Sequence, residues 1–311
     1  MPVRSLKGLL HPFPVEQFLA EHRGRNWLHV KGAPMKVGNM LNWDGLNTIL
    51  NMEVWNRQNL LLVQDTQSVP PQAYCRQRVD RSLQPQLVPV PELVQQHLAN
   101  GASLVLNEVE TLLPDARGLV RAFADGLGAK CSANAYISQR NHQAFDTHFD
   151  RTDVFAVQTL GRKRWRIYRG QVDTPVIHAM FTGMSKQEVE RLKGGVEAEV
   201  VMNPGDVLYI PRGRFHDALA TEGPSMHLSC AVSEPKGLDV MRIVSEAVVG
   251  DPLFRADLPL QDEDLPAYLK ALADRLQGMT SSPEMVEQVK GLRAGFVPTR
   301  PDFQLGPKKR K

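Results

Sequence analysis

Hydrophobic and polar positions alternate along much of the middle of the chain, which is the pattern of β-strands with one buried face. Turn signals such as Pro-Gly-Asp at 204–206 separate these stretches, and together they predict a mainly β core. We expect the strands 153–160 and 163–168 to pair as a hairpin through a turn at Gly161. The predicted strands are 27–30, 60–63, 102–109, 130–138, 153–160, 163–168, 197–202, 207–210 and 226–232.

Apolar residues recur at helical spacing before this core and again after it. Ser185 and Glu188 have the spacing of a capping box at the start of one helix. Residues 69–91 are rich in Pro, Gln and Arg and show no period, so they are expected to form a long loop or flap. The predicted helices are 14–24, 43–50, 91–100, 112–127, 185–192, 241–249, 266–278 and 283–292.

The composition is that of an ordinary globular protein, with 42% hydrophobic residues in a chain of 311. This length suits one large domain with a smaller appended one. No apolar stretch is long enough to span a bilayer, and Arg4, Lys7 and His11 interrupt any signal peptide. No association with a membrane is therefore expected.

The net charge of +3 arises at the end of the chain, where Lys308, Lys309, Arg310 and Lys311 supply more than all of it. The rest of the chain is slightly acidic, so nucleic-acid binding is not predicted apart from weak contact by this basic tail. The three cysteines are widely spaced and odd in number. They suggest neither a disulfide framework nor a zinc site, and they predict a reducing, cytoplasmic location.

Candidate metal ligands stand in the segment His148-Phe149-Asp150. Alternate residues of a strand share a face, so the imidazole and the carboxylate are expected to point the same way. His216 follows two turn signals and a short apolar strand, and it supplies a second imidazole. Two histidines and one carboxylate form the facial triad of non-haem Fe(II) sites. His142, in the polar approach to this segment, is interpreted as a loop residue and not as a ligand.

The motifs around these ligands resemble a known family. His148-Phe149-Asp150, the segments 153–155 and 161–168, and the run that ends at His216 look like those of the Jumonji-C-type cupins. Within that group they resemble the ribosomal oxygenases, which are Fe(II)- and 2-oxoglutarate-dependent protein hydroxylases. The resemblance covers roughly residues 10–260.

The resemblance implies a double-stranded β-helix, the jelly-roll or cupin fold, at about residues 130–235. This core would lie within an oxygenase domain of residues 1–236 that carries α/β elements at its N-terminal end. A helical, dimerisation-like segment would follow at 237–300, with a basic tail at 301–311. Full-length ribosomal oxygenases also have a winged-helix-like domain, for which little room is expected here.

The resemblance also implies co-substrate contacts. Lys163 would bind the distal carboxylate of 2-oxoglutarate, and a buried ammonium does need an anionic partner. Asn134 and Tyr136 would face the same pocket, although alternation alone fits a solvent-facing edge strand equally well. Ser229 would help to hold the co-substrate. His227 is expected to support the site or the fold.

The predicted function is that of a dioxygenase that uses Fe(II), 2-oxoglutarate and O2 to hydroxylate a C–H bond, with no catalytic residue beyond the metal ligands. A protein or peptide side chain is the expected substrate, and a ribosomal protein is one candidate. The alternatives are a small-molecule substrate, demethylation of N-methyl-lysine, and a cupin that has lost its metal and serves as a binding module. The apolar stripes after Gly237 predict a homodimer.

Overall fold

Antiparallel β-sheets form the centre of the protein in the computed structural model, which describes residues 5–37, 40–79, 82–138, 145–220 and 223–296. The chain divides into two compact units. The first comprises residues up to 127 together with 131–233, and the second comprises residues 128–130 and those from 234 onward. The strands are β1 (Leu28–Val30), β2 (Leu60–Gln64), β3 (Gln67–Ser68), β4 (Cys75–Val79), β5 (Pro85–Pro89), β6 (Ser103–Leu106), β7 (Lys130–Ser138), β8 (Asp153–Leu160), β9 (Lys163–Gln171), β10 (Val196–Met202), β11 (Val207–Ile210), β12 (Arg214–Ala220) and β13 (Ser225–Ser233).

Two sheets build the region that carries the candidate ligands. The larger has the strand order β1-β11-β8-β13-β7-β6-β2-β3, and the smaller has the order β10-β9-β12. The mainly antiparallel fold with helical segments is confirmed, but the described strands lie in separate sheets and do not close into one barrel. A core packs apolar side chains of both sheets together, and its buried members are Ala156, Trp165, Ile167, Val200, Met202, Leu208 and Ile210.

The predicted hairpin between 153–160 and 163–168 is wrong. β8 pairs with β11 and β13, whereas β9 pairs with β10 and β12, so the two successive strands belong to different sheets. Both edges of β8 are therefore already occupied. The crossing takes place at Gly161, whose φ of +64° and close approach to the carbonyl of Pro224 leave no space for a side chain.

The predicted loop at 69–91 is also wrong. A short helix and a two-stranded antiparallel sheet, β4 with β5, fill most of this stretch. Most side chains of the two strands are exposed or only partly buried. Because little of this hairpin is buried, its sequence lacks the alternation by which a strand is identified.

Most predicted helices are confirmed within a few residues, and Ser185 with Glu188 forms the expected capping box. Residues 14–24 differ, because a short α-helix there continues as a π-helix over Phe18–His22. No described helix is long and apolar enough to cross a membrane. The α-helices are α1 (Leu6–Leu10), α2 (Val15–Gln17), α3 (Trp43–Leu50), α4 (Pro71–Tyr74), α5 (Pro91–Ala99), α6 (Pro114–Leu127), α7 (Lys186–Lys193), α8 (Gly237–Val248), α9 (Pro252–Arg255), α10 (Leu265–Thr280) and α11 (Pro283–Phe296).

Candidate metal centre

His148 and His216 lie directly opposite each other in an isolated antiparallel bridge. The amide of His148 donates to the carbonyl of His216 at 3.0 Å, and the amide of His216 donates to that of His148 at 2.8 Å. His148 and Asp150 were expected on a regular strand, but the described segment 145–152 has only this bridge. The carbonyl of Asp150 instead accepts from the amide of Gly213, in the turn before β12, at 2.8 Å. The pairing places both imidazoles on one face.

The three candidate ligands converge as the sequence predicts. One ligand atom from each of His148, Asp150 and His216 lies within 4.8 Å of the others. Nε2 of His216 is 3.4 Å from Oδ2 of Asp150, and the two imidazole centroids are 4.6 Å apart. Atoms at this spacing can bind one divalent cation, and their arrangement leaves part of its coordination sphere open for other ligands.

The hydrogen bonds of the two imidazoles determine which nitrogens remain for a metal. Nδ1 of His148 lies 2.8 Å from the carbonyl of Asp146, and Nδ1 of His216 lies 3.0 Å from that of Arg214. Because a carbonyl only accepts, each Nδ1 carries the proton and each Nε2 keeps a free lone pair. Burial, reinforced by His148, lowers the pKa of His216 to about 4, so this imidazole is neutral at physiological pH. The donor set therefore fits Fe(II) or a similar divalent ion.

A cavity of about 70 Å³ adjoins the three ligands. It brings Lys163, Tyr136 and Ser229 to the triad, but Asn134 is not among its described lining residues. A larger cavity of about 820 Å³ lies beside α3, α5 and the β4–β5 hairpin, and its described lining contains neither histidine nor cysteine. The smaller cavity is lined by Tyr136, Phe145, His148, Asp150, Val154, Lys163, Trp165, His216, Ala218, His227 and Ser229.

Lys163 is a buried basic group that faces this cavity. Its residue is 3% exposed, and burial lowers the pKa of its amine to about 7. Nζ lies 3.3 Å from Oγ of Ser138 and 3.5 Å from Nδ1 of His227. No carboxylate of the described residues pairs with Lys163. The amine therefore lacks an anionic partner in the described part of the chain.

Aromatic rings enclose the space between Lys163 and the triad. The ring of Tyr136 stacks on His227 at 5.0 Å, and the edge of Trp165 meets the same imidazole at 5.5 Å. Burial and the charge of Asp150 raise the pKa of Tyr136 to about 12, which keeps its hydroxyl protonated. Burial, and then the charge of Lys163, lower the pKa of His227 well below its ordinary value. His227 therefore remains neutral beside the amine.

Asn134 does not line the described cavity, but it hydrogen-bonds Tyr136, which does. The side-chain oxygen of Asn134 accepts from the amide of Glu108 at 3.1 Å. The edge-strand alternative for this stretch is wrong, because β7 lies between β13 and β6.

Sequence reasoning missed several residues of the site. Ser138 and Trp165 share strand faces with Tyr136 and Lys163, so alternation could have identified both. Arg166, in a run of basic residues that would be typical of a solvated surface, forms an ion pair with the buried Asp217 at 2.8 Å. The predicted loop residue His142 and the basic tail 301–311 lie outside the described residues.

Comparisons with known proteins agree with this fold. Residues 117–240 match the JmjC domain family. A bifunctional lysine-specific demethylase and histidyl-hydroxylase NO66 of Drosophila mojavensis is 26% identical over 296 residues, which are 92% of this chain and 32% of that protein. The protein of the same name from Dictyostelium discoideum is 28% identical over 72% of this chain and 42% of its own length. The chain thus spans less than half the length of these relatives.

A solved structure extends the agreement to the whole fold. The Escherichia coli ribosomal oxygenase YcfD has a TM-score of 0.58 at 20% identity, over 90% of this chain and 70% of that one. The same bacterial protein has been solved in complex with cobalt and 2-oxoglutarate, and it matches with the same TM-score. Residues 117–240 of this chain thus match the JmjC domain family, and the fold is that of the JmjC cupins.

Proposed function

We propose that this chain is an Fe(II)- and 2-oxoglutarate-dependent dioxygenase that hydroxylates a C–H bond of a protein or peptide side chain. The observation that carries the proposal is the buried amine of Lys163, which shares a cavity with the His-Asp-His cluster. Burying a charged group without a partner costs roughly several kcal/mol, unless the group loses its charge by a change of protonation. A 2-oxo dicarboxylate could bind the metal at one end and Lys163 at the other. It would then occupy the open coordination positions of the metal and give the buried amine an anionic partner.

The relatives support this reading. NO66 is named as a histidyl-hydroxylase, and the E. coli structure with cobalt and 2-oxoglutarate is that of a ribosomal oxygenase. Co(II) binds nitrogen and oxygen ligand sets of the kind that also bind Fe(II). A ribosomal protein is therefore the first substrate class to test for this chain.

The chain's own residues have distinct tasks in this proposal. Fe(II) with 2-oxoglutarate and O2 supplies the oxidation of a C–H bond to an alcohol, with release of succinate and carbon dioxide. His148, Asp150 and His216 hold the metal from one side. Lys163 orients the distal carboxylate by a charge-assisted hydrogen bond, and Ser138 holds the amine in place by accepting a hydrogen bond from it at 3.3 Å. The remaining lining residues limit the access of water and direct the target group toward the metal.

A side chain presented from outside fits the site better than an enclosed small molecule does. The cavity of about 70 Å³ is far smaller than the ~300–1,000 Å³ of pockets that enclose a ligand. The side chain of Asp150 is 38% exposed, so the triad is open to the surface. Small-molecule hydroxylation remains the second candidate, and an intact triad with Lys163 argues against a metal-free binding module.

Demethylation of N-methyl-lysine is a further candidate, because the names of the NO66 relatives include that activity. Both reactions begin with hydroxylation of a C–H bond, but only in demethylation does the resulting N-hydroxymethyl group leave as formaldehyde and give the free amine. The two are therefore separated by their products and not by the triad.

Mass spectrometry tests the proposal directly. Ribosomal proteins and a peptide pool would be incubated with the full chain, Fe(II) and 2-oxoglutarate, with the Asp150→Ala variant as a matched control. We expect a peptide with one added oxygen that forms only with the parent chain, together with succinate. Formaldehyde and loss of a methyl group would instead identify a demethylase. Succinate formation that is equal in the parent and the variant would contradict the proposal.

We further propose that the helices of the second unit form a homodimer. Within this unit the described side chains of Leu238, Met241 and Leu269 are 62%, 53% and 58% exposed, and few of its described apolar residues are buried. An apolar surface of this kind is stabilised when a second copy covers it.

Light scattering tests the dimer. At micromolar concentration the parent should have twice the mass of one chain, and the double variant Leu238→Lys with Met241→Lys should be a monomer. Ile177, which is 83% exposed in the other unit, provides the control Ile177→Lys, which should remain a dimer. A monomeric parent would refute this proposal.

A further inference from the structure

The face of the His148–His216 bridge that points away from the metal carries a second cross-strand pair. Thr147 precedes one ligand and Asp217 follows the other, so they lie opposite each other beside the bridge. Successive residues of extended backbone point to opposite faces, which places this pair behind the imidazoles. Oγ1 of Thr147 donates to Oδ2 of Asp217 at 2.8 Å.

Asp217 is fully engaged by its neighbours. Arg166 donates to both carboxylate oxygens at 2.8 and 2.9 Å, and the hydroxyl of Tyr168 donates at 2.7 Å. Including the one from Thr147, these four hydrogen bonds fix the carboxylate of Asp217 in one position.

This cluster connects three segments of the chain at the metal site. Arg166 and Tyr168 stand on either side of Ile167, and Ile167 is the partner of His216 in the β9–β12 ladder. Asp217 is anchored to this ladder, whereas Thr147 belongs to the irregular segment that carries His148. The Thr147 hydroxyl is therefore a side-chain link between the segment of one imidazole and the strand of the other.

We propose that Thr147 and Asp217 are positioning residues that set the separation of the two histidine Nε2 atoms before the metal binds. The described backbone hydrogen bonds between this segment and the His216 side are those of the bridge and the one from Gly213 to Asp150, and the hydrogen bond from Thr147 adds a side-chain link next to His148. A preformed pair of nitrogens binds a cation without a cost of ordering. The inference requires a metal at the triad but does not depend on 2-oxoglutarate or on any substrate.

The test is a titration of the metal-free full chain with Co(II), followed by its visible absorption. Thr147→Val removes the hydroxyl but preserves the shape and charge of the side chain. We expect it to raise the Kd for Co(II) about tenfold, at the lower end of the 10–100-fold range known for loss of an outer hydrogen-bond partner of a metal site. Thr147→Ser, which keeps the hydroxyl, should remain within about twofold of the parent.

Thr159 provides the matched control for stability. It is a buried threonine of β8 whose hydroxyl donates to the carbonyl of Met226 at 3.1 Å, away from the triad. Thr159→Val should lower the melting temperature about as much as Thr147→Val does, without changing the affinity for Co(II). A purely structural role for Thr147 would make the two variants alike in both measurements.

The outcomes separate this inference from the proposed function. If Thr147→Val binds Co(II) within twofold of the parent, the positioning role is refuted, even if the enzyme hydroxylates a protein. If Thr147→Val does not fold, Tyr168→Phe replaces it, because this change removes one donor to Asp217 and leaves Thr147 in place. We then expect a rise in Kd of about threefold, smaller than that for a direct partner, and an unchanged Kd would refute the role.

Discussion

Two buried charges on neighbouring strands of the smaller sheet have opposite surroundings. Asp217, on β12, receives donors from Arg166, Tyr168 and Thr147 behind the metal site. The amine of Lys163, on β9, lies next to the hydroxyl of Ser138 and the neutral imidazole of His227, and no carboxylate of the described residues pairs with it. A buried amine without an anionic partner in the described part of the protein fits a site whose ligand supplies the negative charge. The contrast distinguishes Asp217, whose partners stabilise the site, from Lys163, whose proposed partner is the co-substrate.

The largest loss of activity should follow substitution of the three candidate metal ligands. His148→Ala, Asp150→Ala and His216→Ala should each reduce metal-dependent succinate formation by more than the 10–100-fold known for loss of an outer partner. Each variant should remain folded, because the bridge between residues 148 and 216 is formed by backbone hydrogen bonds that do not need the ligand side chains. Succinate assays and circular dichroism check this prediction. Full activity in any one variant would remove that residue from the metal site.

Loss of the matched charge should destabilise the fold. Asp217→Ala leaves Arg166 and Tyr168 without their partner, and breaking a buried ion pair reduces the free energy of unfolding by about 3–5 kcal/mol. Arg166 is 39% exposed and can turn toward water, so we expect a smaller loss than this range, about 2–3 kcal/mol. Chemical denaturation measures the change.

An exposed carboxylate beside the same arginine gives the control for this experiment. Glu199 on β10 is the register partner of Arg166, and Glu199→Ala should change the free energy of unfolding by less than about 0.5 kcal/mol. Equal effects of Asp217→Ala and Glu199→Ala would erase the contrast between the two charges.

Removal of the unmatched charge should affect the co-substrate instead. Lys163→Ala should raise the 2-oxoglutarate concentration needed for half-maximal succinate formation at least about tenfold, because truncating one partner of a buried charge pair costs ~2–5 kcal/mol. Affinity for Co(II) should change little, since Lys163 is not a ligand. Lys163→Arg should keep partial function, because a guanidinium also binds carboxylates in a different geometry.

The neighbouring Arg164→Ala is the control for Lys163. Residue 164 follows Lys163 on β9, and its side chain points to the other face of the strand. The variant should behave like the parent. Unchanged 2-oxoglutarate dependence in Lys163→Ala would remove the main support for the proposed co-substrate.

The difference between the two charges also explains what the sequence could predict. The triad follows from local features, which are a two-residue spacing and turn signals, whereas the role of Lys163 was expected from the family resemblance. The environment of Asp217 depends on Arg166, 51 positions away on the paired strand β9. No short-range pattern states which strands will pair, and for the same reason the hairpin expected between β8 and β9 was wrong. Asn134 shares a face with Tyr136, but alternation does not indicate where along that face the cavity ends.

A pH dependence of stability should also belong to Lys163. Burial lowers the pKa of its amine from 10.5 to about 7 in the folded chain. Between these values the unfolded chain binds more protons, so the free energy of unfolding should rise with pH through this window. The rise cannot exceed about 1.4 kcal/mol per pH unit for one group. Below pH 7 the amine is protonated in both states, and this contribution becomes constant.

Lys163→Met tests the origin of that slope in metal-free protein without 2-oxoglutarate. The variant should be at least as stable as the parent at pH 7, because it removes an unmatched buried amine, and it should lose the extra slope between pH 7 and 9. Lys36, whose pKa burial lowers to about 8, contributes equally to both proteins and cancels in the difference. Denaturation curves at several pH values provide the measurement. If the parent and the variant show the same slope, the amine already has an anionic partner within the protein, and the reason for assigning it to a co-substrate is lost.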